Sequence, residues 1–178
     1  MAEVYYEIIE AARVDPGKIT AADCALRRAR DDLGLPEIEI RWVRPVSESQ
    51  AKVLEGLAGV RRLLGEIACH IAGTSQALPK DGPISVDREG GFWAATHPVG
   101  SALGNGRGWR KPKIFMNADQ PAQEISASIF HEAKHLSDYR SGLFDFGSPE
   151  GAREAETSAN LYAARMTRSV ERNQKNDG

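Results

Sequence analysis

The stretch Ile129–Asp138, I-F-H-E-A-K-H-L-S-D, decides how the rest of the chain is read. It contains H-E-x-x-H: His131, Glu132 and His135. On a helix, residues four apart stack on one face. Both imidazoles then point the same way, one turn apart, as two ligands of one zinc ion require. Glu132 sits beside them, where a carboxylate can take a proton from a metal-bound water. The flanks favour a helix. Asp119 suits an N-cap, Pro121 the first turn, Glu124 the positive helix end, and Gly142 a C-terminal stop. Ile125, Ile129, Ala133 and Leu136 form an apolar stripe at helical spacing. Glu124, Ser128, His131, His135 and Asp138 fall on the opposite side, so the histidines are expected to face water or a cleft.

A zinc site with an open catalytic position usually has three protein ligands. The third is expected from a helix started by Ser148 and Pro149 as cap and first-turn residue. Its buried stripe is Ala152, Ala155, Ala159, Tyr162 and Met166. Glu156 lies at the edge of that stripe, whereas Glu154 points to the other side. Glu156 is therefore the preferred ligand, with Asn160 four residues on to brace it by a hydrogen bond. Asp138 is a weaker candidate, because three ligands from one straight helix rarely close a tetrahedron.

H-E-x-x-H followed by a helix carrying Glu-x-x-x-Asn resembles the gluzincin class of metallopeptidases. More narrowly, three features in a row resemble the ImmA/IrrE family of small zinc metallopeptidases: a strand ending in Asn (Lys113–Asn117, K-I-F-M-N), the motif helix, and E-x-x-A-N-x-Y-A-A at Glu156–Ala164. The likeness spans Lys113–Met166. It implies zinc held by His131, His135 and Glu156, Glu132 as general base, and cleavage of a regulatory protein such as a repressor. Two features depart from the family pattern. The pair inside the motif is Ala133-Lys134 rather than a small apolar pair, and the second helix ends in Arg165-Met166-Thr167-Arg168.

The 178 residues suit one zincin-like domain, with 41% hydrophobic and 27% charged residues as in ordinary globular proteins. Within it, residues 1–72 are expected to be a helical part with one strand, 84–168 the sheet and metal-site helices, and 169–178 a frayed tail. A net charge of −2 argues against nucleic-acid or acidic-membrane partners. Cys24 and Cys69 have no metal-ligand spacing and read as small buried residues in a reducing compartment. The start of the chain has no signal-peptide pattern, and no apolar run is long enough to span a membrane. These features together predict a cytoplasmic protein.

Glu3–Val14 is expected to be a helix broken at Asp15-Pro16-Gly17, and Thr20–Leu33 a second one capped by Thr20 and ended by Gly34. Glu37–Val43 alternates as a half-exposed strand. Ser47–Ala72 is the longest predicted helix, with a Ser47/Gln50 capping box and a buried stripe that includes Val53 and Leu57. Ile84–Asp87 and Phe92–Thr96 are expected to pair as a hairpin. The fold predicted is α+β and zincin-like: a small, mostly antiparallel sheet packed against helices that include the H-E-x-x-H helix. The strand Lys113–Asn117 is a candidate edge to which an extended substrate adds.

The chemistry expected is hydrolysis of a peptide bond in a protein or peptide substrate. Zinc acidifies its water, and Glu132 accepts the proton and passes it to the leaving amine. His97, Tyr139 and Tyr162 are candidates to stabilise the oxyanion. Two alternatives differ in class. One is a zinc-binding protein with a regulatory or partner-binding role and no peptidase activity, which a missing oxyanion donor would favour. The other is a metal-free helical interaction protein, which requires Glu156 to lie far from the histidines.

Overall fold

A computed structural model describes residues 4–57, 84–86, 94–97, 112–145 and 148–176. The fold is α+β. The chain divides into two compact units: Met1–Ile9 with Val43–Phe92, and Glu10–Trp42 with Trp93–Gly178.

The larger unit opens with α1 (Pro16–Leu33). Asp15 caps it, its carboxylate accepting the Lys18 N–H at 3.1 Å, and Pro16 occupies the first helical position. The Asp-Pro-Gly run therefore starts a helix instead of only breaking one. Thr20 is not the cap: its hydroxyl donates back to the Pro16 carbonyl at 2.9 Å. At the other end Gly34 takes the left-handed conformation (φ 62°) that the expected stop requires. The buried face of α1 is Ala22, Ala25, Leu26 and Ala29, whose small side chains let α3 (Ile125–Ser141) approach closely.

Strand β2 (Glu39–Val46) begins in this unit, followed by β4 (Ala94–His97) and β5 (Lys113–Asn117). They lie in the order β2, β5, β4. β4 and β5 are antiparallel, from Ala94 opposite Met116 to His97 opposite Lys113. Every β5 residue is buried. Lys113 is only 5% exposed and is held by Glu39 at 3.1 Å, so its charge is paired where it is desolvated.

The chain then tightens before α3. Asp119 is not the N-cap of α3, whose N-cap position is Glu124 with no side-chain cap bond; in the turn before it, Asn117 Oδ1 accepts the Asp119 N–H at 3.0 Å. Pro121 leads into a short 3-10 turn, Ala122–Glu124. The predicted stripe of α3 is fully or nearly fully buried at Ile125, Ile129, Ala133 and Leu136. Each large member contributes about 1.5–3 kcal/mol by leaving water. Phe130 is buried too, and meets Tyr162 of α4 (Pro149–Asn176) edge to face with ring centres 6.3 Å apart. α4 continues to Asn176, so the expected frayed tail is instead mostly helix. Residues 169–176 contain neither glycine nor proline, and nothing in them interrupts the helix.

In the smaller unit, β1 (Val4–Ile9) replaces the expected first helix, followed by a 3-10 turn at Ala11–Arg13. The run Val-Tyr-Tyr-Glu-Ile-Ile is β-branched and aromatic, which suits a pleated surface better than a helix. The described residues among 1–72 thus contain two strands, β1 and β2, where one was expected. β1 pairs antiparallel with β3 (Ile84–Val86), from Val4 opposite Val86 to Tyr6 opposite Ile84. The predicted hairpin is accordingly split: β3 pairs with β1, and β4 with β5. Within this unit the order is β3, β1, β2.

Residues 48–57 form α2. Its capping box forms as expected: Ser47 N–H donates to Gln50 Oε1 at 3.0 Å, and Gln50 N–H donates to Ser47 Oγ at 3.3 Å. Val53 and Leu57, expected in its buried stripe, are exposed, and the remainder of the predicted helix, with Cys69, lies outside the described residues. Cys24 is exposed rather than buried. Among the described residues no helix is long and apolar enough to cross a membrane.

Candidate metal centre

The site lies wholly in the larger unit and is built by two helices. α3 supplies His131 and His135, and α4 supplies Glu156. The two Nε2 atoms are 3.0 Å apart, with the rings edge to face. His131 Nε2 lies 3.3 Å from Glu156 Oε2, and His135 Nε2 lies 3.5 Å from Glu156 Oε1. One ligand atom from each residue gives a set lying within 4.8 Å of one another. With metal–nitrogen bonds of about 2.0–2.1 Å, the edge of a tetrahedron is about 3.4 Å. The separations of 3.0 to 3.5 Å match that edge.

These contacts are not read as simple ion pairs. Burial lowers the pKa of His135, and the neighbouring His131 adds to the effect. Glu156 and Asp138 oppose it without reversing it. His135 is therefore held toward its neutral form, the form that ligates metal. Two imidazole nitrogens and a carboxylate oxygen form a donor set suited to zinc and related divalent ions. The histidine side chains are 20% and 13% exposed but Glu156 is 57% exposed, so the cluster opens to solvent on the α4 side. That leaves room for a further ligand or a substrate atom.

The turn between the helices sets the distance between donors. Ser148 caps α4, its Oγ accepting the Gly151 N–H at 3.1 Å. Gly151 is packed against the backbone of Asp145: an added Cβ would lie 2.9 Å from its nitrogen and well inside contact distance of its carbonyl. Gly151→Ala is expected to cost about 1–3 kcal/mol through overpacking. This would be read as a lower urea midpoint, and an unchanged midpoint would contradict the tight fit.

The other predicted residues sort clearly. Glu132 is buried, 7% exposed, between the two histidines in sequence. Glu154 is exposed and outside the cluster. Asp138 is buried and paired with Lys134, and is not a member of the ligand set. Asn160 does not brace Glu156: it is exposed and makes no hydrogen bond to it among the described residues, because a side chain four residues on can extend into water there.

Tyr162 packs on Phe130, and its hydroxyl lies in the field of Asp32 on α1 and Arg165. Burial, with Asp32 adding to it, pushes the phenol well above its usual pKa. Tyr139 is 43% exposed near the end of α3. The side chain of His97 lies outside the described residues. Strand β5 is not the edge expected to meet a substrate: β4 lies outside it, at the edge of the described strands, and packs against α3. Sequence reasoning missed the burial of Asp138, although its four-residue spacing from Lys134 was a usable signal of pairing. Comparisons with protein-family models, curated proteins and solved structures returned no match.

Proposed function

We propose that this chain is a zinc-dependent metallopeptidase acting on a protein or peptide. The observation that carries the reading is the convergence of His131, His135 and Glu156, with Glu132 buried at the next position of the motif. Three residues chosen for their chemistry come together from two helices, which the metal-free alternative does not account for. His131, His135 and Glu156 would hold the ion, and its bound form would supply a Lewis acid and an acidified water. Glu132 takes the water proton and returns it to the leaving amine. β4, at the edge of the described strands and beside α3, is where an extended substrate would add, aligned by main-chain hydrogen bonds. Cleavage of a regulatory protein such as a repressor follows from the resemblance to the ImmA/IrrE family.

A second reading has one observation in its favour. The hydroxyl of Tyr162, a candidate oxyanion donor, is buried in the field of the Asp32–Arg165 pair and has no hydrogen-bond partner among the described residues. A zinc protein with a regulatory or partner-binding role and no hydrolysis would need no such donor. Elemental analysis of the purified chain, followed by a peptide-library assay with and without chelator, separates the readings. One zinc per chain with chelator-sensitive cleavage is expected. Zinc without cleavage favours the second reading, and no zinc after reconstitution overturns both.

A further inference from the structure

The second half of α4 gathers three arginines. Arg165, Arg168 and Arg172 stand three and four residues apart, so they share one face of the helix. With Ser169 they line a depression of about 440 Å³. That size suits a small molecule. At 100° per residue this face lies about 120–180° round α4 from Glu156, so the depression is separate from the candidate metal centre.

Arg165 is the fixed member. Its Nη2 donates to Asp32 Oδ2 of α1 at 2.8 Å, and its guanidinium lies 5.2 Å from the centre of the Tyr162 ring. Arg168 Nε donates to the Ala164 carbonyl at 3.1 Å. Neither Arg168 nor Arg172 has a carboxylate partner among the described residues. Like charges one turn apart repel and cost a helix stability. The helix dipole favours cations only near the last turn, and α4 runs on to Asn176, so it accounts at most for Arg172. An anion in the depression would relieve the repulsion.

The charges indicate which anion. Asp32 cancels one of the three positive charges, and Arg168 and Arg172 remain. A phosphate group carries about −1.5 to −2 at pH 7, which matches them better than a single carboxylate does. Planar guanidinium groups hold phosphate oxygens in pairs, and the Ser169 hydroxyl adds a donor between them.

We propose that Arg165, Arg168, Ser169 and Arg172 form a binding site for a phosphate dianion, free or as the monoester of a small molecule. Arg168 and Arg172 neutralise the charge. Arg165, held by Asp32 and Tyr162, fixes one side of the depression. The site stands independently of the metal-site reading.

The test is titration calorimetry of the full chain with inorganic phosphate, glycerol phosphate and acetate at matched ionic strength. Saturable binding of phosphate, one per chain, is expected. Tighter binding of glycerol phosphate identifies the monoester as the ligand, whereas equal or weaker binding identifies free phosphate. Arg168→Gln and Arg172→Gln should each weaken phosphate binding about tenfold or more, as expected for loss of a charged hydrogen-bond donor. Both change exposed side chains, so the fold should persist. Arg153→Gln removes an exposed arginine elsewhere on the same helix and should bind phosphate as the parent does. Absence of saturable phosphate binding, acetate binding as tightly as phosphate, or an equal loss in Arg153→Gln would overturn the assignment.

Discussion

His135→Ala should leave a folded chain that has lost zinc binding by more than about a hundredfold, beyond the range usual for residues that only support a ligand. His135 offers its Nε2 to the cluster 3.0 Å from His131 and 3.5 Å from Glu156. Removing it leaves two donors on different helices, too few to hold an ion in a closed geometry. The same substitution changes the acid behaviour of the metal-free protein. Burial lowers the pKa of His135. As pH falls below the usual histidine value of about 6.5, the unfolded chain therefore takes up the proton first, and the native state loses stability. His135→Ala removes that penalty, so its denaturation midpoint should fall less steeply between neutral and mildly acid pH. Isothermal titration with zinc and a pH series of urea melts test the two halves separately. Parent-like zinc affinity in this variant would mean that His135 is not a ligand.

Glu132→Gln should separate binding from chemistry. The amide has almost the same shape but cannot take a proton from water. Zinc content should stay at the parent level while turnover falls by roughly 10²–10⁴-fold, the usual range for a positioned general base. Glu132 is buried between the histidines in the motif, so it has little water of its own to compete for the proton. Initial rates on whichever peptide the parent cleaves give the answer. Equal rates would remove Glu132 from the chemistry, whereas zinc loss in the variant would mean that Glu132 serves the site structurally.

The cluster of His131, His135 and Glu156 was readable from sequence because it depends on helical geometry that local signals specify. His131 and His135 are one turn apart, and the stripe Ile125–Leu136 determines which way they face. Glu156 was reachable because Ser148 and Pro149 mark the start of its helix and the alanine stripe gives its phase. The failures come from places where pattern and propensity diverge. Val4–Ile9 has apolar residues at spacings that fit a helix, but their β-branched and aromatic character prevails in β1. The Asp-Pro-Gly run before α1 carries both a break signal and a cap signal, and the carboxylate of Asp15 decides for the cap. Strand partners were not legible: Ile84–Val86 and Ala94–His97 are neighbours in sequence, but long-range pairing sent them to β1 and β5. The missing brace at Asn160 shows the same limit for side chains. Spacing puts a group within reach, but solvent competes for it once it lies on the exposed face.

Because the candidate donors come from both α3 and α4, an ion bound by them would act as a removable cross-link between the two helices. Any ion bound there favours the native state over the unfolded one by mass action, by about 2.7 kcal/mol when free ion stands at a hundred times its dissociation constant. On the proposed metal reading, the melting temperature of this protein is expected to rise with metal supply. Without metal, the anchoring of α4 would rest on contacts such as Phe130 against Tyr162 and the Arg165–Asp32 ion pair, and the lifetime of the folded chain would report how much metal is available.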